Sequence, residues 1–225
     1  MTKKERYIFV TDYFSRTMPL AASELHFTNP FELIVAVILS AQCTDKRVNM
    51  VTPALFEAMP TAQAMAEAEV DEIFAFIRSV SYPNAKATHL SSMARAVVER
   101  FAGAIPSTRV ELESLAGVGR KTASVVLSIA FGANEMAVDT HVFRVARRIG
   151  LSLPTTKTPL DTERQLVAGF SKVDTQIENL LAIAHHWLIL HGRYVCTARA
   201  PQCHQCGLAD VCANHQKNRM EASEN

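Results

Sequence analysis

Apolar residues return every three or four positions along nearly the whole chain, the spacing that lines one face of a helix. No stretch alternates apolar and polar residues between hairpin turns, so an all-α fold is expected. Several segments begin with helix-start signals. Asn29 is an N-cap followed by Pro30 at the first helical position, and the apolar run from Phe31 to Leu39 comes next. A second helix is predicted over Asp45 to Met59, with Pro60 beyond it. Thr61 caps a short helix, and Asp71 to Val80 forms another. Pro83 to Phe101 reads as a long helix ended by Gly103. Ser107 to Leu115, Arg120 to Phe131, Thr140 to Ile149, Pro159 to Phe170 and Asp174 to His191 complete the set. The joints are short, the weakest being Gly132 to Asn134 and Leu153-Pro154. Short joints argue for packed helices and against independent modules.

Composition adds exclusions. The chain has 225 residues, 48% apolar and 20% charged, which is ordinary for a soluble globular protein. Its longest apolar run, Leu33 to Leu39, spans seven residues and is too short to cross a membrane. Met1 to Arg6 lead into no signal-peptide core, so the chain is expected in the cytoplasm. A formal net charge of +1 means that any contact with nucleic acid must come from a local patch. Arg144, Arg147 and Arg148 form one basic cluster, readable as a solvated helix end or as a phosphate contact.

Five cysteines occur, and four of them, Cys196, Cys203, Cys206 and Cys212, fall within 17 residues. In a cytoplasmic chain that pattern points to metal and not to disulfides. Thiolate softness suits zinc or an iron–sulfur cluster, and ligand chemistry alone leaves the two level. Cys43, at the end of an apolar helix, reads as a small buried hydrophobe.

The most informative stretch is Leu115-Ala116-Gly117-Val118-Gly119-Arg120-Lys121-Thr122-Ala123. One helix ends near Leu115 and another starts near Arg120. Two glycines let the turn approach a ligand closely, with Val118 as its apolar anchor. Amides at the following helix start lack intrahelical partners and can cradle a phosphate. Gly117, Gly119, Arg120 and Thr122 are therefore candidate phosphate contacts. Lys121 lies in the first turn, where the helix dipole and Arg120 disfavour a protonated amine and so favour a nucleophile. Read without context, the stretch is a tight turn and an ordinary surface lysine.

The L-x-G-V-G-R-K-T-A form resembles the helix–hairpin–helix of the endonuclease III family of DNA-repair glycosylases. Further segments resemble that family too. Val138-Asp139-Thr140-His141-Val142 is similar to its catalytic-aspartate segment, although position alone makes Asp139 a helix N-cap. Leu39-Ser40-Ala41-Gln42 is similar to the segment whose glutamine fills the space left by an extruded base. Ser81-Tyr82-Pro83-Asn84 departs from the family's G-L-Y-N, placing Tyr82 where an aliphatic wedge is usual. The 6-2-5 cysteine spacing is the family's [4Fe–4S] signature. His185 and His186 are adjacent, do not share a helix face, and read as structural, with Trp187 in the core.

The resemblance covers about residues 5 to 215. It implies two helical lobes: a six-helix barrel over 22–132 holding the hairpin, and a cluster lobe built from 1–21 and 133–225. DNA would lie in the cleft between them. The implied activity is a bifunctional glycosylase and abasic-site lyase acting on oxidised pyrimidines in duplex DNA. Lys121 attacks the sugar, Asp139 assists, and the resulting Schiff base permits β-elimination. The implied protein is a monomer, cytoplasmic and nucleoid-associated on DNA. In the same reading the cluster orders a loop that carries Arg199 toward phosphate. A monofunctional adenine-mismatch relative would lack the lysine and carry a glutamate between Leu33 and Cys43, where this chain has none. A DNA-binding module without catalysis would leave Lys121, Asp139 and Gln42 together unexplained.

Overall fold

The computed structural model describes residues 1–223, and these are helical with no strand among them. The chain divides into two compact units. One comprises Ser23–Ala133, the other Met1–Ala22 with the chain from Asn134 onward.

The first unit contains α2 (Pro30–Ser40), α3 (Asp45–Ala58), α4 (Ala62–Glu67), α5 (Val70–Ile77), α6 (Pro83–Phe101), α7 (Arg109–Glu113) and α8 (Arg120–Phe131). Its centre is α2, whose residues from Phe31 to Leu39 are buried on every side apart from Glu32. A helix apolar all round must be surrounded, and α3, α6 and α8 pack against it. Asn29 caps α2 by accepting the Glu32 N–H at 3.0 Å, with Pro30 at the first position. Thr61 caps α4 in the same way, accepting the Ala64 N–H at 3.1 Å.

The second unit contains α1 (Lys3–Thr17), α9 (Thr140–Ile149), α10 (Pro159–Phe170), α11 (Leu180–Tyr194) and α12 (Ala213–Ser223), with two single 3-10 turns between α11 and α12. Its core joins Tyr7, Val10 and Phe14 to Val142, Val145, Ile149, Leu166, Phe170 and Trp187. Phe14 stacks on Trp187 with ring centres 5.8 Å apart, and the indole N–H donates to the Met18 carbonyl at 2.9 Å. The Tyr7 hydroxyl donates to the carbonyls of Leu151 at 2.8 Å and Gln165 at 3.1 Å. Each of these large side chains adds about 1.5–3 kcal/mol by leaving water.

Several boundaries differ from expectation: α7 is shorter at both ends, α11 runs on to Tyr194, and two further differences have local causes or consequences. The helix expected from Asp174 begins only at Leu180, because Asn179 takes a left-handed conformation. The helix expected to reach Val80 ends at Ile77. Cys43 is also not a buried helix residue: α2 ends at Ser40, and Cys43 sits half-exposed in the loop beyond it.

Candidate active site and cluster loop

The turn between α7 and α8 is built around Val118, which is buried, while Gly117 and Gly119 on either side are exposed. The Val118 N–H donates to the Leu115 carbonyl at 3.1 Å and closes the turn. Gly117 has φ +78, and a Cβ there would come within 3.1 Å of the His89 side chain. Fold geometry therefore demands that glycine. Gly119 is different. Its φ is −95, and a Cβ would meet no atom within 4 Å. Nothing inside the protein requires glycine at this position. The space lies at the N-cap of α8, which has no side-chain cap. The start of an α-helix suits an approaching anion, because its first backbone N–H groups point out along the axis. Lys121 and Thr122 are half-buried in this first turn, and Arg120 is exposed. Arg109 ties the two helices, donating to Ser124 Oγ at 3.1 Å and to the Arg120 carbonyl at 3.5 Å.

Asp139 belongs to the other unit. It is the N-cap of α9, and its Oδ1 accepts the Val142 N–H at 2.8 Å. The segment leading to it is anchored by buried His185, whose Nδ1 lies 2.7 Å from the Ala137 carbonyl. A carbonyl only accepts, so that ring nitrogen carries the proton.

Gln42 and Tyr82, both exposed, lie in the same unit as Lys121. Both take left-handed backbone conformations, with φ 54 and φ 57. Non-glycine residues do so only where neighbours hold them. Ser81 Oγ donates to the Gln42 carbonyl at 2.7 Å. Burial holds the pKa of nearby Lys86 below the usual lysine range, and Cys43 partly offsets this.

The four cysteines lie in one loop between α11 and α12, all half-buried and none in a disulfide. Burial pushes the Cys206 and Cys212 thiols up, and the neighbouring thiolates push both further. The set is thus mutually close. Yet no three donors among the described residues gather as a single metal ion requires. Four thiol side chains in one short loop form the soft donor set that an iron–sulfur cluster takes. His191 lies 3.7 Å from Cys206 Sγ, and burial pushes its pKa down to about 4, so the ring is neutral.

The basic cluster is not simply a solvated helix end. Arg144 donates to the carbonyls of Cys196 at 3.2 Å and Gly192 at 2.8 Å. Arg148 donates to those of Thr197 at 2.7 Å and Ala198 at 2.9 Å, and reaches Cys196 Sγ at 3.5 Å. Cys212 Sγ in turn donates to the Arg148 carbonyl at 3.1 Å. The i, i+4 spacing of the two arginines puts both on one face of α9, turned to the cysteine loop. Arg147 is exposed and donates to the Pro154 carbonyl at 2.8 Å. Arg199 is exposed.

Comparison with known proteins agrees with this layout. Residues 35–172 match the HhH-GPD superfamily of base excision DNA repair proteins, and residues 196–212 match the iron–sulfur binding domain of endonuclease III. The chain is 46% identical to an endonuclease III of Treponema pallidum, across 88% of this chain and 90% of that one. It is 42% identical to that of Escherichia coli K12, again across 88% and 90%. A solved structure of a trapped endonuclease III–DNA covalent intermediate, an estranged-adenine complex, superposes with a TM-score of 0.88 at 38% identity, covering 97% of this chain and all of the other.

Proposed function

Because this chain belongs to the endonuclease III family of base excision DNA repair proteins, we propose that Lys121 is its nucleophile and Asp139 the carboxylate that assists it. The protein is a DNA glycosylase with abasic-site lyase activity that binds DNA and carries a [4Fe–4S] cluster. The observation that supports the assignment is Lys121 in the first turn of α8, behind a glycine whose missing side chain serves no internal contact.

In this reading the damaged base, an oxidised pyrimidine, is extruded from duplex DNA into the protein. The backbone amides behind Gly117 and Gly119 hold a phosphate, with Arg120 and Thr122 beside it. Gln42 occupies the space left in the duplex, and Tyr82 stacks on a neighbouring base. The Lys121 amine, relieved of a proton by Asp139, bonds to the sugar C1′ as the base departs with its electron pair and gains a proton. The attached nitrogen passes a proton to O4′, the C1′–O4′ bond breaks, and the ring opens to a protonated Schiff base. It acidifies the sugar C2′ hydrogen, and loss of that proton expels the 3′ phosphate.

Cys196, Cys203, Cys206 and Cys212 hold the cluster. Bound there, it would tie together a loop whose only larger aliphatic residues are Val195, Leu208 and Val211, and would supply no acid or base to the reaction. Residues 22–132 serve as the hairpin lobe, and 1–21 with 133–225 as the cluster lobe. The protein acts as a monomer in the cytoplasm, on the nucleoid. No helix among the described residues is long and apolar enough to cross a membrane.

Borohydride trapping on duplexes containing oxidised pyrimidines tests the assignment. Wild-type protein should form a covalent adduct and Lys121→Ala none. An undiminished adduct in Lys121→Ala would exclude the lysine.

A further inference from the structure

Lys86 near the start of α6 is 5% exposed, an unusual state for the residue type that least tolerates burial. Its partners are carbonyls. The ammonium Nζ donates to Leu39 O at 2.8 Å and to Ala41 O at 2.7 Å, at the C-terminal end of α2. Its own backbone N–H donates to the Tyr82 carbonyl at 3.1 Å. Ser81, one residue before Tyr82, reaches the Gln42 carbonyl. One buried residue therefore touches both the Gln42 loop and the Tyr82 loop, two of the places where an exposed side chain sits on a left-handed backbone. A cation at the end of α2 also meets the negative pole of that helix.

Packing does not explain the choice of lysine. An apolar side chain of equal length would fill the same space without desolvating an ammonium. What only the ammonium supplies is hydrogen bonds to the α2 carbonyls just before Gln42, while the rest of the residue starts the helix that follows Tyr82. We propose that Lys86 is a positioning residue that locks Gln42 and Tyr82 into one rigid two-pronged element for entering the duplex. It lies beneath that element and does not itself reach DNA. The proposal rests on the roles given above to Gln42 and Tyr82.

The test uses a duplex with a tetrahydrofuran abasic analogue opposite 2-aminopurine, whose fluorescence reports insertion beside the opposite base. Wild-type protein should change the signal, and Gln42→Ala should abolish the change. Lys86→Met keeps the stem and removes the donors. It should reduce the signal and weaken duplex binding by about tenfold, while borohydride trapping on a single-stranded abasic oligonucleotide stays within about twofold. A merely structural role would lower both together, and that result overturns the proposal. A signal lost in Gln42→Ala but intact in Lys86→Met overturns the lock alone. A signal that survives Gln42→Ala overturns the reading of Gln42 and the lock with it. If Lys86→Met does not fold, Ser81→Ala removes the other anchor of the Gln42 loop. It should show the same split with a smaller loss, and a wild-type signal there counts against the lock.

Discussion

Asp139 Oδ1 accepts the Val142 backbone N–H at 2.8 Å, so the carboxylate proposed for chemistry also caps its own helix. Substitution separates the two duties. Asparagine caps about as well as aspartate, so Asp139→Asn should keep its stability, while Asp139→Ala loses about 1 kcal/mol. Both should reduce borohydride trapping by about 100-fold or more, since neither retains the charge or the proton acceptor. Urea melts and trapping on one set of samples check this. An Asp139→Asn protein that traps like wild type would leave the carboxylate only its structural duty.

The two hairpin glycines should respond in opposite ways. Gly117→Ala puts a Cβ against His89 at φ +78 and is expected to cost about 1 kcal/mol or more of stability. For Gly119→Ala the stiffer unfolded chain returns about 0.4–1 kcal/mol, offsetting alanine's weaker capping, so stability should hardly move. Its affinity for abasic-site duplex should nevertheless fall by about tenfold, because the added methyl stands where a phosphate approaches. Melts and binding titrations decide it, and unchanged affinity would remove Gly119 from the DNA contacts.

The Arg148 guanidinium reaches Cys196 Sγ and donates to the carbonyls of Thr197 and Ala198 that follow it. Arg148→Met should therefore speed cluster loss to a chelator by about tenfold, as read by the fading of visible absorption. Arg147→Met serves as the control, because Arg147 turns to Pro154 and the Phe143 ring. Equal rates in the two variants would deny Arg148 this task.

Tyr7 gives the stability a defined response to alkali. Burial raises its pKa well above the ordinary 10.0. Below pH about 10 the phenol is neutral whether the chain is folded or not, and its contribution is fully present. Above that, the unfolded chain ionises first, and stability falls by up to about 1.4 kcal/mol per pH unit for this one group. Tyr7→Phe should flatten that slope while losing the hydrogen bonds to Leu151 and Gln165. Urea melts at pH 9 and pH 11 compare the two slopes. An equally steep fall in Tyr7→Phe would assign the loss to other groups.

What could be read from the sequence was what is determined locally. Asn29 and Thr61 bond amides three residues away, and the starts of α2 and α4 fall where those caps place them. The glycine turn and Lys121 occupy consecutive positions, so a motif suffices to find them. Long-range partners were invisible. The start of α11 depends on Asn134, whose side chain accepts the Leu181 N–H at 2.7 Å from 47 residues away. Without that partner in view, the stretch from Asp174 looks like more helix. Nothing local marks Lys86, or turns Arg148 toward the cysteine loop, since their acceptors lie 45 or more residues distant in the chain.

The empty space beside Gly119 also bears on how this protein can be changed. A search for stabilised variants scores a substitution by the fold alone, and by that measure alanine there is harmless. On the proposed phosphate contact, the constraint on the position comes from a molecule absent during folding. Drift or engineering judged on thermal endurance would accept the change and produce a protein that survives heat and fails at its task.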